Sequence, residues 1–308
     1  MTPIEFFLAG TMSAATVFLL AALGELVAEK SGMLNLGVEG MMAVAAAVGF
    51  VVTYQTGNHF LGFAIAGIAG ILVSLVFAVV SITFLANQVA TGLAVGILGL
   101  GLSALIGKQH ESLTITPPGT LNIPILSDIP FIGPVFFQQN IVVYLTILLA
   151  IAISFCLNKT RLGLAIRAAG ENPKAAEALS YRVKMIRYGS VAFGGLLAGF
   201  AGAYASTIYT PLWADGMIAG RGWIAVALVV FGTWKTGRIF LGAYLFGMVS
   251  LGELVAQSLG IGIPSQLLSA MPFIVTIVVL AVISSNGARL KLHAPYALGE
   301  TYDGSEPR

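Results

Sequence analysis

The chain has 308 residues, of which 57% are hydrophobic and only 9% charged, with a net charge of +2 and a mean hydropathy of +0.94. A water-soluble domain carries roughly 25% charged residues, so this composition excludes an ordinary soluble protein and places lipid around most of the surface. The small net charge gives no basis for a nucleic-acid partner, and a single cysteine, Cys156, excludes a disulfide within the chain.

A helix needs about 20 apolar residues to cross a hydrocarbon core about 30 Å thick. In chain order, runs of this kind are Phe6–Val27, Met33–Tyr54, Phe60–Leu85, Val89–Ile106, Ile141–Leu157, Tyr188–Tyr209, Gly222–Trp234, Ile239–Leu259 and Pro264–Ser284. They predict an all-α, polytopic integral membrane helix bundle of about nine spans. Only helices satisfy every backbone group within one segment, and the period-two alternation of a barrel is absent. The seventh run is short enough to be broken or joined to its neighbour. Met1–Glu5 lacks the basic stretch of a cleavable signal, so the first span is expected to be retained.

The basic residues orient the bundle. With the N-terminus outside, Lys30, Lys159, Arg161, Arg167, Lys174, Arg182, Lys184, Arg187, Lys235, Arg238, Arg289, Lys291 and Arg308 share one side, and only Lys108 and Arg221 fall on the other. Cytoplasmic loops carry the excess of bases, so the first group and the C-terminus are expected in the cytoplasm. One transmembrane domain is predicted over residues 1–290, containing a cytoplasmic loop at 158–187, followed by a cytoplasmic tail at 291–308. The external segment 108–140 carries five prolines, too many for a continuous helix. Gly92, Gly96, Gly99 and Ser103, and again Gly195, Gly199, Gly202 and Ser206, form stripes of small residues that let helices approach closely.

Chemistry-bearing motifs are few. There is no G-x-x-x-x-G-K-[ST] phosphate loop and no H-E-x-x-H, and His59, His110 and His293 fall in loops or the tail. No catalytic residue and no metal site are predicted, and any ATP hydrolysis that drives this chain belongs to another polypeptide. The loop at 158–187 contains Arg167-Ala-Ala-Gly170-Glu171-Asn172-Pro173-Lys174-Ala175-Ala176-Glu177-Ala178-Leu179. Asn172 is a good N-cap and Pro173 suits the first helical position, which predicts a short helix to about Tyr181. Such a helix either docks into a partner protein or lies on lipid headgroups.

Within the membrane, Glu39 lies about six residues (roughly 9 Å) into the second run, with Asn35 one turn before it on the same face. A carboxylate there must be paired or wet, so the two residues either line a solute path or lock the helix to its neighbours. Asn87, Gln88 and Thr91 open the fourth run, as a gate or simply in headgroup water. Glu253 is expected to have a structural partner. Tyr204, Tyr209, Trp213 and Trp223 are either interfacial anchors or rings for stacking on a flat base.

Three motifs together resemble the permeases of ABC importers. They are Ser31-Gly-Met-Leu-Asn35-Leu-Gly-Val-Glu39-Gly40, the Arg167–Leu179 segment, and Gly220-Arg-Gly-Trp223-Ile-Ala-Val-Ala-Leu-Val-Val-Phe-Gly232. The nearest group is the branched-chain amino acid and simple-sugar type, in its nucleoside branch, and the resemblance runs from about Ala21 to Leu290. It implies a permease that moves a small polar solute, most of all a nucleoside, into the cytoplasm by alternating access across a prokaryotic inner membrane. Asn35, Glu39, Asn87, Gln88, Thr91, Tyr204 and Trp223 are then the candidates for the solute path. Arg167, Gly170, Glu171, Asn172, Pro173, Ala175 and Ala176 are the candidates for coupling to a cytoplasmic ABC ATPase. The resemblance also implies a second permease subunit, like or unlike, an extracytoplasmic solute-binding protein, surrounding membrane lipid, and no cofactor in this chain, ATP being bound by the partner. The competing reading is a stand-alone secondary transporter driven by protons or sodium, with Glu39 and Glu253 carrying protons.

Overall fold

The computed structural model describes residues 2–124, 126–259, 264–284 and 294–303. Its helices are α1 (Pro3–Lys30), α2 (Val38–Thr56), α3 (His59–Ala78), α4 (Gln88–Gly107), α5 (Ile141–Lys159), α6 (Arg161–Glu171), α7 (Pro173–Ala178), α8 (Val183–Tyr204), α9 (Arg221–Phe231), α10 (Thr236–Ser258) and α11 (Ser265–Ser284). Single π-turns extend α3 to Thr83 and α8 to Tyr209. Among the described residues, the one departure toward sheet is an isolated bridge between Thr114 and Leu212.

The chain enters α1 with its free donors satisfied. The Thr2 hydroxyl accepts the Glu5 N–H, the Glu5 carboxylate accepts the Thr2 N–H, and Pro3 takes the first helical position. Almost every α1 residue from Thr11 to Glu29 is buried. A helix that is apolar all round belongs at the centre of a bundle, and α8, α9 and α10 pack around it. Helices α2 and α8 are also largely buried, whereas α3, α4, α5 and α10 turn apolar side chains outward, Ile97, Leu105, Ile151 and Leu241 among them. Those outward faces are the lipid surface implied by the composition.

Among the described residues, seven helices are long and apolar enough to cross a membrane: α1, α2, α3 with its extension, α4 with the short turn after it, α5, α8 with its extension, and α10. The seventh expected run proves to be α9, whose 11 residues extend about 16 Å, half a hydrocarbon core. The ninth is α11, with an apolar stretch from Gln266 to Val279 among its described residues. Cations at 289, 291 and 308 lie outside the described residues.

Three local expectations are corrected. The second helix starts at Val38 rather than Met33, because Gly32 at φ +89° turns the chain and residues 31–37 are non-helical. Asn35 is therefore not one helical turn below Glu39. Segment 158–187 is a helix–turn–helix rather than a loop with one short helix. There α5 continues to Lys159, Thr160 accepts the Gly163 N–H, and α6 begins. Helix α7 stops at Ala178 rather than Tyr181, since Ser180 takes φ +67° and the Tyr181 N–H returns to the Ala176 carbonyl.

The small-residue stripes pack helix on helix. A Cβ added to Gly40 of α2 would meet the Gly96 carbonyl of α4 at 2.6 Å and the Gly96 Cα at 2.8 Å. Gly40→Val is expected to lose about 2 kcal/mol through overpacking, lowering the thermal midpoint of the purified protein by several degrees. An unchanged midpoint would show that α2 and α4 are not tightly apposed.

Candidate functional site

The polar interior of the bundle is organised around α9. Its N-terminus, an end with unsatisfied amides and a positive dipole, meets a carboxylate: Glu39 Oε1 accepts the Gly220 N–H and Oε2 accepts the Gly222 N–H, both at 2.7 Å. Both glycines of Gly220-Arg-Gly222-Trp223 are explained by this contact. Gly220 sits at φ +82°, and a Cβ on Gly222 would lie 2.6 Å from the Glu39 Cα. At the other end of the helix, the Trp234 Nε1–H donates to Glu29 Oε2 at 2.5 Å. Helix α9 is thus held at both ends by carboxylates from α1 and α2, roughly one helix length apart.

Residues 31–37 fill the space beside Glu39 and are tied down by side chains rather than by regular structure. The Asn35 N–H donates to Glu25 Oε1 at 3.0 Å and Asn35 Oδ1 accepts the Gly37 N–H at 3.0 Å. The Leu34 N–H donates to Gln88 Oε1 at 2.7 Å, and the Trp223 Nε1–H donates to the Leu36 carbonyl at 3.3 Å. Asn35, Glu39 and Gln88 are buried with their acceptors engaged. Trp223 is different: its indole nitrogen is anchored here while 43% of the residue's surface is exposed. Asn87 is exposed and caps α4 by accepting the Ala90 N–H, and Thr91 is buried one turn later. Tyr204 lies apart, enclosed among core side chains with no exposed surface. Glu253 has the structural partners expected of it, accepting from Ser269 Oγ of α11 at 2.7 Å and from Gln257.

A second cluster forms at the α6–α7 end. Asn172 Oδ1 accepts the Ala175 N–H as the N-cap of α7, and Pro173 follows at the first position. Ala176 is buried, while Glu171, Asn172, Ala175 and Leu179 face outward, Leu179 with 73% of its surface exposed. Arg167 donates to the Gly163 carbonyl within α6. Gly170 packs against the turn after α1, where an added Cβ would lie 3.0 Å from the Gly32 nitrogen.

The segment 294–303, expected as a tail, folds back over this cluster. The Ala297 N–H donates to the Gly170 carbonyl at 2.9 Å and the Gly299 N–H to the Gly32 carbonyl at 3.1 Å. The Glu300 carbonyl accepts from both Gln88 Nε2 and Arg187 Nη1 at 3.1 Å. The Tyr302 hydroxyl donates to the Glu177 carboxylate of α7. Burial and the adjacent Glu177 carboxylate push that hydroxyl up to about 12. One short segment therefore touches α7, the turn at Gly32 and the start of α4.

Sequence reasoning did not single out Glu25, Glu29, Trp234 or Arg187. The two acids stand four residues apart near the end of a mostly apolar helix, a spacing that puts both on one face and that was a usable signal.

A model of the branched-chain amino acid transport system permease component matches residues 7–280. The chain belongs to this family. The permease is 39% identical to a putative glucose ABC transporter permease protein of Haloferax volcanii, covering 95% of this chain and 96% of the relative. It is 34% identical to the guanosine ABC transporter permease protein NupQ of Bacillus subtilis (95% and 94% covered) and 31% identical to the nucleoside ABC transporter permease protein NupC of Lactococcus lactis (97% of each). No solved structure matches it. It is accordingly a multi-pass inner-membrane permease subunit of an ABC importer. It is not an enzyme: ATP hydrolysis lies on a separate subunit, and the permease works in a complex with that ATPase and a solute-binding protein.

Proposed function

We propose that the permease imports nucleosides, passing them over a surface formed by Trp223 and the N-terminal end of α9. The observation that carries this reading is the indole of Trp223, which is pinned through its nitrogen at Leu36 in a residue that keeps 43% of its surface exposed. A pinned aromatic face stacks on a flat base at little entropic cost, and two relatives are named for nucleoside and guanosine transport. Glu39 builds this surface by fixing α9, Asn35 and Gln88 brace the chain beneath it, and Asn87 and Thr91 stand at its approach.

Nine crossings complete the path, the seven long helices being joined by α11 and by α9 with the segment that leads into it. The N-terminus is outside and the α6–α7 end faces the cytoplasm, as the distribution of bases requires. Residues 1–290 act as one permease domain, a second permease subunit closes the path, and α7 with Gly170–Ala176 docks on the ATPase.

A glucose-type substrate is the second reading, supported by the 39% identical relative. Uptake of tritiated guanosine and of labelled glucose by proteoliposomes holding the complete transporter separates them. Nucleoside uptake that unlabelled glucose does not compete away is expected, together with a several-fold fall in Trp223→Ala. Glucose uptake with no nucleoside uptake would overturn the assignment.

A further inference from the structure

Two cavities on the lipid-facing side of α5 and α10 run into one another. The larger, about 560 Å³, is a mostly apolar groove whose walls include Ile147, Ile151 and Phe155 of α5 and Phe240 of α10, with Lys159 at the end of α5 also lining it. The other, about 380 Å³, lies at the α6–α7 end of the groove and is lined by Lys30, Arg167 and Lys235, with Glu171 and Glu29 beside Lys30 and cations in excess. Ser154, Asn158, Thr236 and Gly237 belong to both, so the groove opens directly into the cationic pocket.

We propose that an anionic phospholipid occupies this pair of cavities, its phosphate among Lys30, Arg167 and Lys235 and an acyl chain along the groove between α5 and α10. Three observations converge on that occupant. The pocket is cationic, and basic pockets between membrane helices take anionic headgroups. Helix α10 begins in the pocket, and its N-cap position, Lys235, supplies no side-chain acceptor to the first amides, so donors are available to a phosphate oxygen. The groove runs from Ile147 to Asn158 along α5, about 17 Å at helical rise, close to one leaflet of a hydrocarbon core about 30 Å thick. A free inorganic anion would use the pocket but not the groove, and a neutral lipid the groove but not the pocket. The lipid sits against α6 and the loop after α9, two elements bordering the proposed coupling and solute sites.

The test uses the complete transporter, extracted with a mild detergent from nanodiscs of equimolar phosphatidylcholine and phosphatidylglycerol, with retained lipid measured by native mass spectrometry. Preferential retention of phosphatidylglycerol is expected, falling about five-fold for each cation removed in Lys30→Gln and Lys235→Gln. Ile151→Trp, at an outward-facing position where folding is undisturbed, fills the groove and is expected to lower retention with all three cations intact. Equal retention of the two lipids overturns the proposal. So does a phosphatidylglycerol excess unchanged in the variants, or cross-linking of Lys235→Cys to an acidic segment of a partner subunit. Displacement of phosphatidylglycerol by inorganic phosphate without effect of Ile151→Trp would assign the pocket to a free anion and likewise overturn it.

Discussion

Glu39→Ala is expected to abolish uptake, by more than about ten-fold at equal abundance in the membrane. The substitution removes both acceptors at the N-terminus of α9 and leaves the Gly220 and Gly222 amides without partners in the interior. Each stranded donor costs about 1–3 kcal/mol, and the dipole of α9 loses its counter-charge. The two losses together exceed the roughly 1.4 kcal/mol that corresponds to a ten-fold change in an equilibrium. Glu39→Gln keeps one carbonyl acceptor while its NH₂ group opposes the second amide, so an intermediate defect is expected. Glu39→Asp keeps the charge but is shorter by one methylene and reaches only one of the two glycines. If α9 is the moving part of the solute path, these variants rank Ala below Asp and Gln in uptake while ATPase binding is retained. The comparison is made on proteoliposomes normalised by immunoblot, and wild-type uptake by the alanine variant would remove Glu39 from any role in the path.

The long apolar helices were legible from composition, because a lipid environment demands runs of about 20 apolar residues and little else satisfies that demand. The N-cap of α7 was legible too, since Asn172-Pro173 states its own geometry. What escaped was governed by contacts rather than by periodicity. The start of α2 moved from Met33 to Val38 because residues 31–37 are held by Glu25, Gln88 and Trp223 from three other elements, and no local pattern announces such bonds. The half-length of α9 was visible as a short run, but its clamping between Glu39 and Glu29 required both partners to be in place. Helix α6 was legible in principle: Thr160 is a good N-cap, and Ile166, Ala169 and Gly170 line one buried face. The return of residues 294–303 was not, because three of its anchors are backbone groups of Ala297, Gly299 and Glu300, which any residues supply.

Charge reversal of Glu171 and a one-residue insertion after Pro173 are expected to separate ATP hydrolysis from uptake. Helix α7 with the turn before it has a buried side at Ala176 and an outward side at Glu171, Asn172 and Ala175. An added residue rotates everything after it by about 100°, turning Ala176 outward and carrying the Glu177 carboxylate away from the Tyr302 hydroxyl. With α7 docked on the ATPase as proposed, force on the outward side would pass through Gly170 to the turn at Gly32, and in parallel through Glu177, Tyr302 and Glu300 to Gln88. Both routes converge on residues 31–37, beside the Glu39 contact with α9. Uptake per ATP hydrolysed is therefore expected to fall by about ten-fold or more in the insertion variant, with hydrolysis by the assembled complex continuing. Tyr302→Phe breaks only the second route and is expected to produce a smaller loss with ATPase docking intact. Because the Tyr302 hydroxyl is raised to about 12 from its ordinary value near 10, its contribution is fully present below pH 10 and disappears only as pH rises through 12. The wild-type ratio of uptake to hydrolysis should consequently show no pH dependence arising from this contact across the physiological range. Transport and hydrolysis falling together in the Glu171→Lys and insertion variants would mean that α7 serves assembly alone and that motion reaches the solute path by another route.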